Sequence, residues 1–362
     1  MSFTLNLPIN SVSFGQVSTL LLRELHKKNS NFTLYPIGDR YDLSTQELDE
    51  GFLSFIKDKT SDFLSKINRK DPCFKLWHLN GSLESVSNKK YLLTFYELDS
   101  PTKEEINIVK NQDKVFFSSN YSVDIFKTFG CNNVEFLPLA FDKYNFKRTE
   151  KQYFTDGRIV FNLVGKLEKR KNHKKVIQSW LKKFGNDARY HLQCSIHNPF
   201  LKDEDNKALI GSILEGKSYF NISFLQQMPK NAIYNDYLNS ADIVIGMSGG
   251  EGWGLPEFHS VAMGKHAVIL DAHAYKDWAN KSNSVLISPS SKVEATDGIF
   301  FHKGQQFNQG NIFLFDDDEF LAGCDKAIER VKNNKINSEG LKLQEQFTSE
   351  KFADNILNII NS

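Results

Sequence analysis

The chain has 362 residues, of which 40% are hydrophobic and 25% charged, so it is an ordinary globular protein too long for one small core, and two domains are expected. A formal net charge of +1 excludes a global field for gathering polyanions. No apolar run reaches membrane-spanning length, and Met1-Ser2-Phe3-Thr4 lacks a charged-then-apolar leader, which leads us to expect a cytoplasmic protein.

Short apolar runs alternate with longer amphipathic segments throughout, the pattern of repeated β-α units around parallel sheets. Strands are expected at Phe3–Leu7, Phe32–Pro36, Phe74–Leu79, Tyr91–Phe95, Lys114–Ser118 and Val134–Leu139, with helices at Gln16–Lys28 and Leu48–Ile67 among those between. Phe141–Gly157 is polar, Lys-rich and aperiodic, and reads as a linker. A second series follows. Arg158–Val164, Tyr190–Ile196, Phe220–Phe224, Ile243–Met247 and Ala267–Asp271 read as strands. Helices are expected at His173–Phe184, Glu204–Leu214, Ala232–Asn239, Pro256–Met263, Asp317–Val331 and Glu350–Ile360. The expected fold is α/β, with two Rossmann-like, doubly wound parallel-sheet domains facing a central cleft and ligand at the carboxyl ends of the strands.

Residues 1–146 carry 17 Lys+Arg against 18 Asp+Glu, so the first half is not a basic platform and charge does not argue for a nucleic-acid partner. Cys73, Cys131, Cys194 and Cys324 are scattered without metal-ligand or redox spacing and read as reduced thiols. Only eight basic residues are Arg, and Phe, Ile and Asn are plentiful, as in an AT-rich genome such as that of a phage or an AT-rich bacterium.

Chemistry concentrates in two places. The buried-strand run Ala241–Met247 leads directly into Gly249-Gly250-Glu251-Gly252-Trp253-Gly254-Leu255-Pro256. Gly252 and Gly254 permit close backbone approach, Pro256 suits a first helical turn, and that helix N-terminus carries partial positive charge toward a bound group. The second place is Gly165-Lys166-Leu167-Glu168-Lys169-Arg170-Lys171-Asn172, between a strand and a helix. Lys166 and Lys171 lie five apart across that loop, a spacing that suits two ammonium groups around one diphosphate.

In content, order and separation these two elements resemble the retaining glycosyltransferases of family 4, which have the GT-B fold. Gly165-Lys166-Leu167 with Lys171-Asn172 matches one family motif, and Glu251 through Gly264 matches the other. Asn235–Asp242 also resembles the family's segment before that strand. The resemblance covers most of residues 158–290 and is fainter in the first half, where Asn10–Gly15 stands for the loop after the first strand.

The resemblance implies an acceptor-binding domain over residues 1–145, a nucleotide-sugar-binding domain over 157–345, and a final helix, 346–362, that packs back on the first. It implies Lys166, Lys171 and Glu251 as catalytic residues, the lysines on the diphosphate and the carboxylate on sugar hydroxyls. Gly15, Gly165, Gly250, Gly252, Trp253, Gly254, Leu255 and His259 would line the donor, with His78, Tyr96 and Glu97 on the acceptor side. No metal and no cofactor beyond the donor is implied, and the acceptor is a hydroxyl compound. His259 is the departure, since the family carries there a second Glu that holds the nucleotide ribose. An imidazole offers one donor and one acceptor in its place, which leaves three readings: altered donor preference, a tolerated substitution, or loss of activity. Glu257, two positions away, does not share that helical face.

Asp316-Asp317-Asp318 precedes a helix and reads as an N-cap rather than a metal site. His191, His197, His266, His273 and His302 show no ligand spacing. The expectation is a metal-independent retaining hexosyltransferase-type enzyme. Its alternatives are a phage enzyme glycosylating a hydroxymethylated base in DNA, and a GT-B-like protein that binds nucleotide sugars without transferring them.

Overall fold

The computed structural model describes residues 2–38 and 41–362. The first sheet holds β1 (Thr4–Pro8), β2 (Thr33–Ile37), β3 (Cys73–Leu76), β4 (Lys90–Thr94), β5 (Lys114–Phe117) and β6 (Val134–Phe136). The second holds β7 (Ile159–Val164), β8 (Tyr190–Ser195), β9 (Ile222–Phe224), β10 (Ile243–Gly246), β11 (His266–Leu270) and β12 (Val285–Ile287). All pairings within these two sheets are parallel. Strands such as β1, β3, β10 and β11 are buried along their whole length, because helices cover both faces of a parallel sheet.

Strand order decides where a site forms. The first sheet runs β2-β1-β3-β4-β5-β6 and the second β12-β11-β10-β7-β8-β9. Each order reverses once, between β1 and β3 in the first sheet and between β10 and β7 in the second. Loops leaving adjacent strands at such a reversal diverge to opposite faces and open a crevice. The Gly165–Asn172 and Met247–Gly254 segments are the two loops at the second reversal.

Several features depart from the sequence expectation, among them β12, which is not among the expected strands. Leu48–Ile67 is not one helix but two, Glu50–Thr60 and Phe63–Lys66, separated where Asp62 adopts the left-handed region at φ 49°. An antiparallel hairpin, β13 (Pro289–Glu294) and β14 (Asn311–Phe315), follows β12. Every residue of β13 is exposed, so it carries no buried apolar alternation to mark it as a strand.

The segment from Phe141 to Gly157 contains no helix or strand, yet Phe141 and Phe146 are buried. Its backbone is pinned by the helix Asn231–Asn239. Lys147 N donates to Asn235 Oδ1 at 3.0 Å, Thr149 N donates to Asn239 Oδ1 at 2.9 Å, and Asn239 Nδ2 donates to Lys147 O at 2.9 Å. The last helix, Ser349–Asn361, lies on the first domain, where Ser349 Oγ donates to Glu24 Oε1 at 2.6 Å and Asp354 pairs with Lys28 at 2.8 Å. Asn239 is 1% exposed, and Asn239→Ala removes the buried partner of two linker backbone groups. It should cost about 1–3 kcal/mol in urea unfolding. A change below about 0.5 kcal/mol, the range of neutral surface substitutions, would mean that the linker is held elsewhere.

Candidate active site

The Gly165–Asn172 loop begins with Gly165 at φ +100°, where a Cβ would lie 3.3 Å from Lys171 Cε, so the glycine leaves room for that side chain to double back. Residues Lys169–Lys171 form a 3-10 turn, and Asn172, in the left-handed region, opens the helix His173–Phe184. Asn172 Nδ2 donates to Met247 O at 2.9 Å and to Phe313 O at 3.0 Å. Gly249 N donates to Arg170 O at 2.8 Å, and Phe313 N donates to Gly249 O at 2.8 Å. Three segments distant in sequence are thereby stitched into one wall.

Within that wall lies a buried cluster of charges. Lys171 Nζ donates to Glu251 Oε1, and Arg170 Nη1 lies 3.3 Å from the same oxygen. Arg170 Nη1 also donates to Gly250 O, while Nη2 reaches Glu168 Oε1 at 2.8 Å and Glu97 Oε1 at 3.2 Å. Among the described residues, Glu97 is the only member from the first domain, on the loop after β4. Burial alone would push the Glu251 carboxyl up, but Lys171 and Arg170 outweigh it and hold it near 2. Burial would likewise lower Lys171, yet Glu251 keeps it raised. The Glu97 carboxyl is pushed up by burial against the pull of Arg170, with Glu251 and Glu168 adding to the rise.

Behind the glycine-rich segment sits Glu257, 2% exposed, its carboxyl pushed by burial to about 7. The Tyr275 hydroxyl beside it eases that rise. Arg170 Nε and His273 Nδ1 are buried without a hydrogen-bond partner, which buried polar atoms rarely are. Among the described residues, no group of three or more His, Cys, Asp or Glu side chains is arranged to hold a metal ion.

Neither protein-family models nor curated protein sequences yield a match. Solved structures do. Sucrose-phosphate synthase from Thermosynechococcus elongatus is similar at 12% identity, with 99% of this chain and 98% of that one covered and a TM-score of 0.71. HepE from Anabaena, in a complex with UDP and glucose, is similar at 13% identity, with 99% of each chain covered and a TM-score of 0.71. A glycosyltransferase from Rickettsia africae follows at 10% identity, 99% and 97% coverage and a TM-score of 0.68. The fold is GT-B.

On this GT-B frame the residues singled out from the sequence separate into groups. Glu251, Lys171, Gly165, Gly250 and Glu97 meet in the buried cluster. Lys166 does not join it: its ammonium rests on the Phe200 and Phe300 rings, at the cleft. His78 stands opposite in the first domain, against Phe14 and Trp77; partial desolvation, then the Lys166 charge, lowers its pKa. Gly15 serves the loop after β1, since a Cβ there would lie 2.0 Å from Asn10 O. Gly250 and Gly252 have a reason beyond ligand approach. A Cβ on Gly250 would lie 2.5 Å from Glu97 O, and one on Gly252 would lie 2.6 Å from Phe95 Cβ, so the first domain rests directly on this segment. Gly254 sits at φ +79° and caps the helix Leu255–Ala262.

Three side chains are not where the sequence suggested. Trp253 turns its ring into the core against Phe258 and Phe347, and its carbonyl accepts from Trp278 Nε1 at 2.9 Å. Tyr96 leaves the acceptor side: it packs on Phe117 and Phe126, and its hydroxyl donates to Glu105 Oε2 at 3.2 Å. His259 is turned toward the linker. Its Nδ1 donates to Leu255 O at 2.6 Å, its Nε2 accepts from Asp142 N at 3.2 Å, and Phe146 covers the ring at 4.3 Å. Burial lowers its pKa to about 4, which keeps the ring neutral and suits that donor–acceptor pair. The His259 position therefore serves the linker. Leu255 contributes its carbonyl to the same contact. Asp316 caps its helix, accepting from Asp318 N and Glu319 N at 3.0 Å each.

Arg170 and Glu168 are not singled out from the sequence, and Glu257 is set aside there as lying off the His259 face. Arg170 is flanked by Lys169 and Lys171, and nothing in a run of three basic residues distinguishes the buried one.

Two predictions follow from the cluster. Lys171→Met leaves Glu251 with Arg170 alone and should destabilise the chain by about 3 kcal/mol, with Lys171→Met/Glu251→Gln recovering part of the loss. No recovery in the double variant would separate the pair energetically. The two glutamates also act on stability with opposite signs. Glu251, held near 2 against an ordinary 4.5, contributes stability above pH 4.5 that is lost as pH falls toward 2. Glu257, at about 7, keeps its proton when folded while the unfolded chain releases it above 4.5, so stability falls as pH rises from 4.5 through 7. In urea unfolding at about pH 5 and about pH 7.5, Glu257→Gln should abolish that decline. The same slope in both chains rules Glu257 out as its source.

Proposed function

We propose that this chain is a retaining, metal-independent glycosyltransferase that moves a sugar from a nucleotide-diphosphate sugar to a hydroxyl acceptor. The observation that carries the reading is an ionised, buried Glu251 braced by Lys171 at the strand-order reversal of a GT-B domain, with Lys166 at the adjoining cleft. That HepE was solved with UDP and glucose supports a uridine sugar as the first donor to try. Both cations bind Oε1 of Glu251, so the second oxygen is the one offered to sugar hydroxyls. Lys171 keeps that carboxylate ionised and aimed, and lends part of its charge to the β-phosphate. Lys166 supplies the rest as the glycosidic bond breaks and charge builds on the leaving phosphate. The leaving phosphate takes the acceptor's proton, so no protein base is needed. The acceptor approaches from the first domain, past His78 and Glu97.

A second reading, binding without transfer, is favoured by one observation. Arg170 bridges Glu97 and Glu251 across the domains and occupies the acidic groups a sugar would need. Thermal-shift screening against nucleotide sugars finds the donor, since a ligand at about 100 times its Kd stabilises the fold by about 2.7 kcal/mol. Slow hydrolysis of the bound donor then marks an enzyme, and its absence marks a binder. With a donor in hand, Lys166→Ala should lower turnover by about 10²–10³-fold, and unchanged turnover removes the diphosphate role. Activity should survive EDTA. A loss that added Mn²⁺ restores would overturn the metal-independent mechanism.

A further inference from the structure

Lys166 and Lys171 are restrained in different ways. Lys171 is buried against a carboxylate, which orders its ammonium but spends much of its charge. The Lys166 Nζ lies 5.1 Å from the centroid of Phe200 and 5.1 Å from that of Phe300. The two rings meet edge to face at 5.6 Å. Phe200 follows β8 and is 61% exposed, so its own burial does not explain its place. Phe300 comes from the segment between β13 and β14, and neither ring belongs to a motif evident in the sequence.

The face of an aromatic ring attracts an ammonium through its quadrupole. Unlike a carboxylate, it leaves the full positive charge, and it leaves N–H donors free to turn toward an anion. A lysine so held also avoids being ordered anew at each binding event. Resting on the proposed function, we infer that Phe200 and Phe300 are positioning residues that hold the Lys166 ammonium, uncompensated, for the diphosphate of an incoming donor. The hairpin segment ties this arrangement to the first domain. Thr102 Oγ1 donates to Gln306 O at 2.6 Å, Asn308 N donates to Glu105 Oε1 at 2.9 Å, and Asn311 N donates to Asp99 Oδ1 at 2.7 Å. Phe300 is therefore delivered to Lys166 when the two domains meet as they do here.

The test combines UDP calorimetry with NMR of the full chain after reductive ¹³C-methylation of lysines, which keeps their charge. The Lys166 signal, assigned through Lys166→Arg, should be shifted upfield by the two rings. Phe200→Leu/Phe300→Leu should return it toward the other lysines and weaken UDP binding about five- to tenfold. Phe200→Tyr/Phe300→Tyr should restore both. In a Lys166→Met background the leucine pair should change UDP affinity less than about twofold, which a merely structural role would not produce. An unshifted Lys166 signal in the parent chain, or full UDP affinity in the leucine pair, overturns the inference. A parent chain that shows the ring shift but binds no nucleoside diphosphate overturns the diphosphate reading, and this inference with it. That result is distinct from a failure of the ring contact itself.

Discussion

The rest of the site depends on a carboxylate kept ionised out of water. Glu251 is 5% exposed, and a charge there survives only with partners close at hand. Lys171 and Arg170 supply them, and every local feature of the two loops follows from bringing those three residues together. Gly165 has no Cβ because Lys171 doubles back over it. Asn172 turns left-handed to start a helix while its side chain ties the loop to Met247 and to the hairpin. The reversal of strand order between β10 and β7 is what lets two loops about 80 residues apart in sequence share one charge cluster.

Arg170 extends that cluster across the domain boundary. Its contact with Glu97 and the close seat of Phe95 and Glu97 on Gly250 and Gly252 place the domains in direct contact over the glycine-rich segment. The hairpin reinforces that contact, joined to the loop wall on one side through Phe313 and to Asp99 and Glu105 on the other. Buried ion pairs gain little net stability over apolar packing, but removing one partner of such a pair costs about 3–5 kcal/mol. A network of this kind suits a cleft whose two walls must meet in one register.

His259 shows how a departure from a motif acquires meaning from its surroundings. In the sequence it stands where a ribose-binding acid is expected. Folded, it bridges the helix Leu255–Ala262 to Asp142 and is covered by Phe141 and Phe146, so it joins the second domain to the linker. A glutamate there would place a charge against two phenylalanine rings, which accounts for a neutral ring as the tolerated residue.

Most of the fold was legible in the chain because parallel strands buried on both faces and amphipathic helices leave strong periodic signals; β1, β10, β11 and the helix His173–Phe184 lie within a residue or two of their expected bounds. The placement of Glu251 and Lys171 just beyond strand ends was legible too, since both segments directly follow buried apolar runs. What stayed hidden depended on contacts between distant segments. The exposed strand β13 has no apolar face to betray it, Arg170 is indistinguishable from its basic neighbours until the first domain closes over it, and Tyr96 and Trp253 could have pointed to either side of their strand ends. By itself the sequence determined two β-α domains and the chemistry of their loops, because local periodicity and residue type decide those. Only the tertiary structure decided which lysine would be neutralised by a carboxylate and which would rest charged on aromatic rings, because that depends on partners from another loop, another sheet and a hairpin more than 100 residues away.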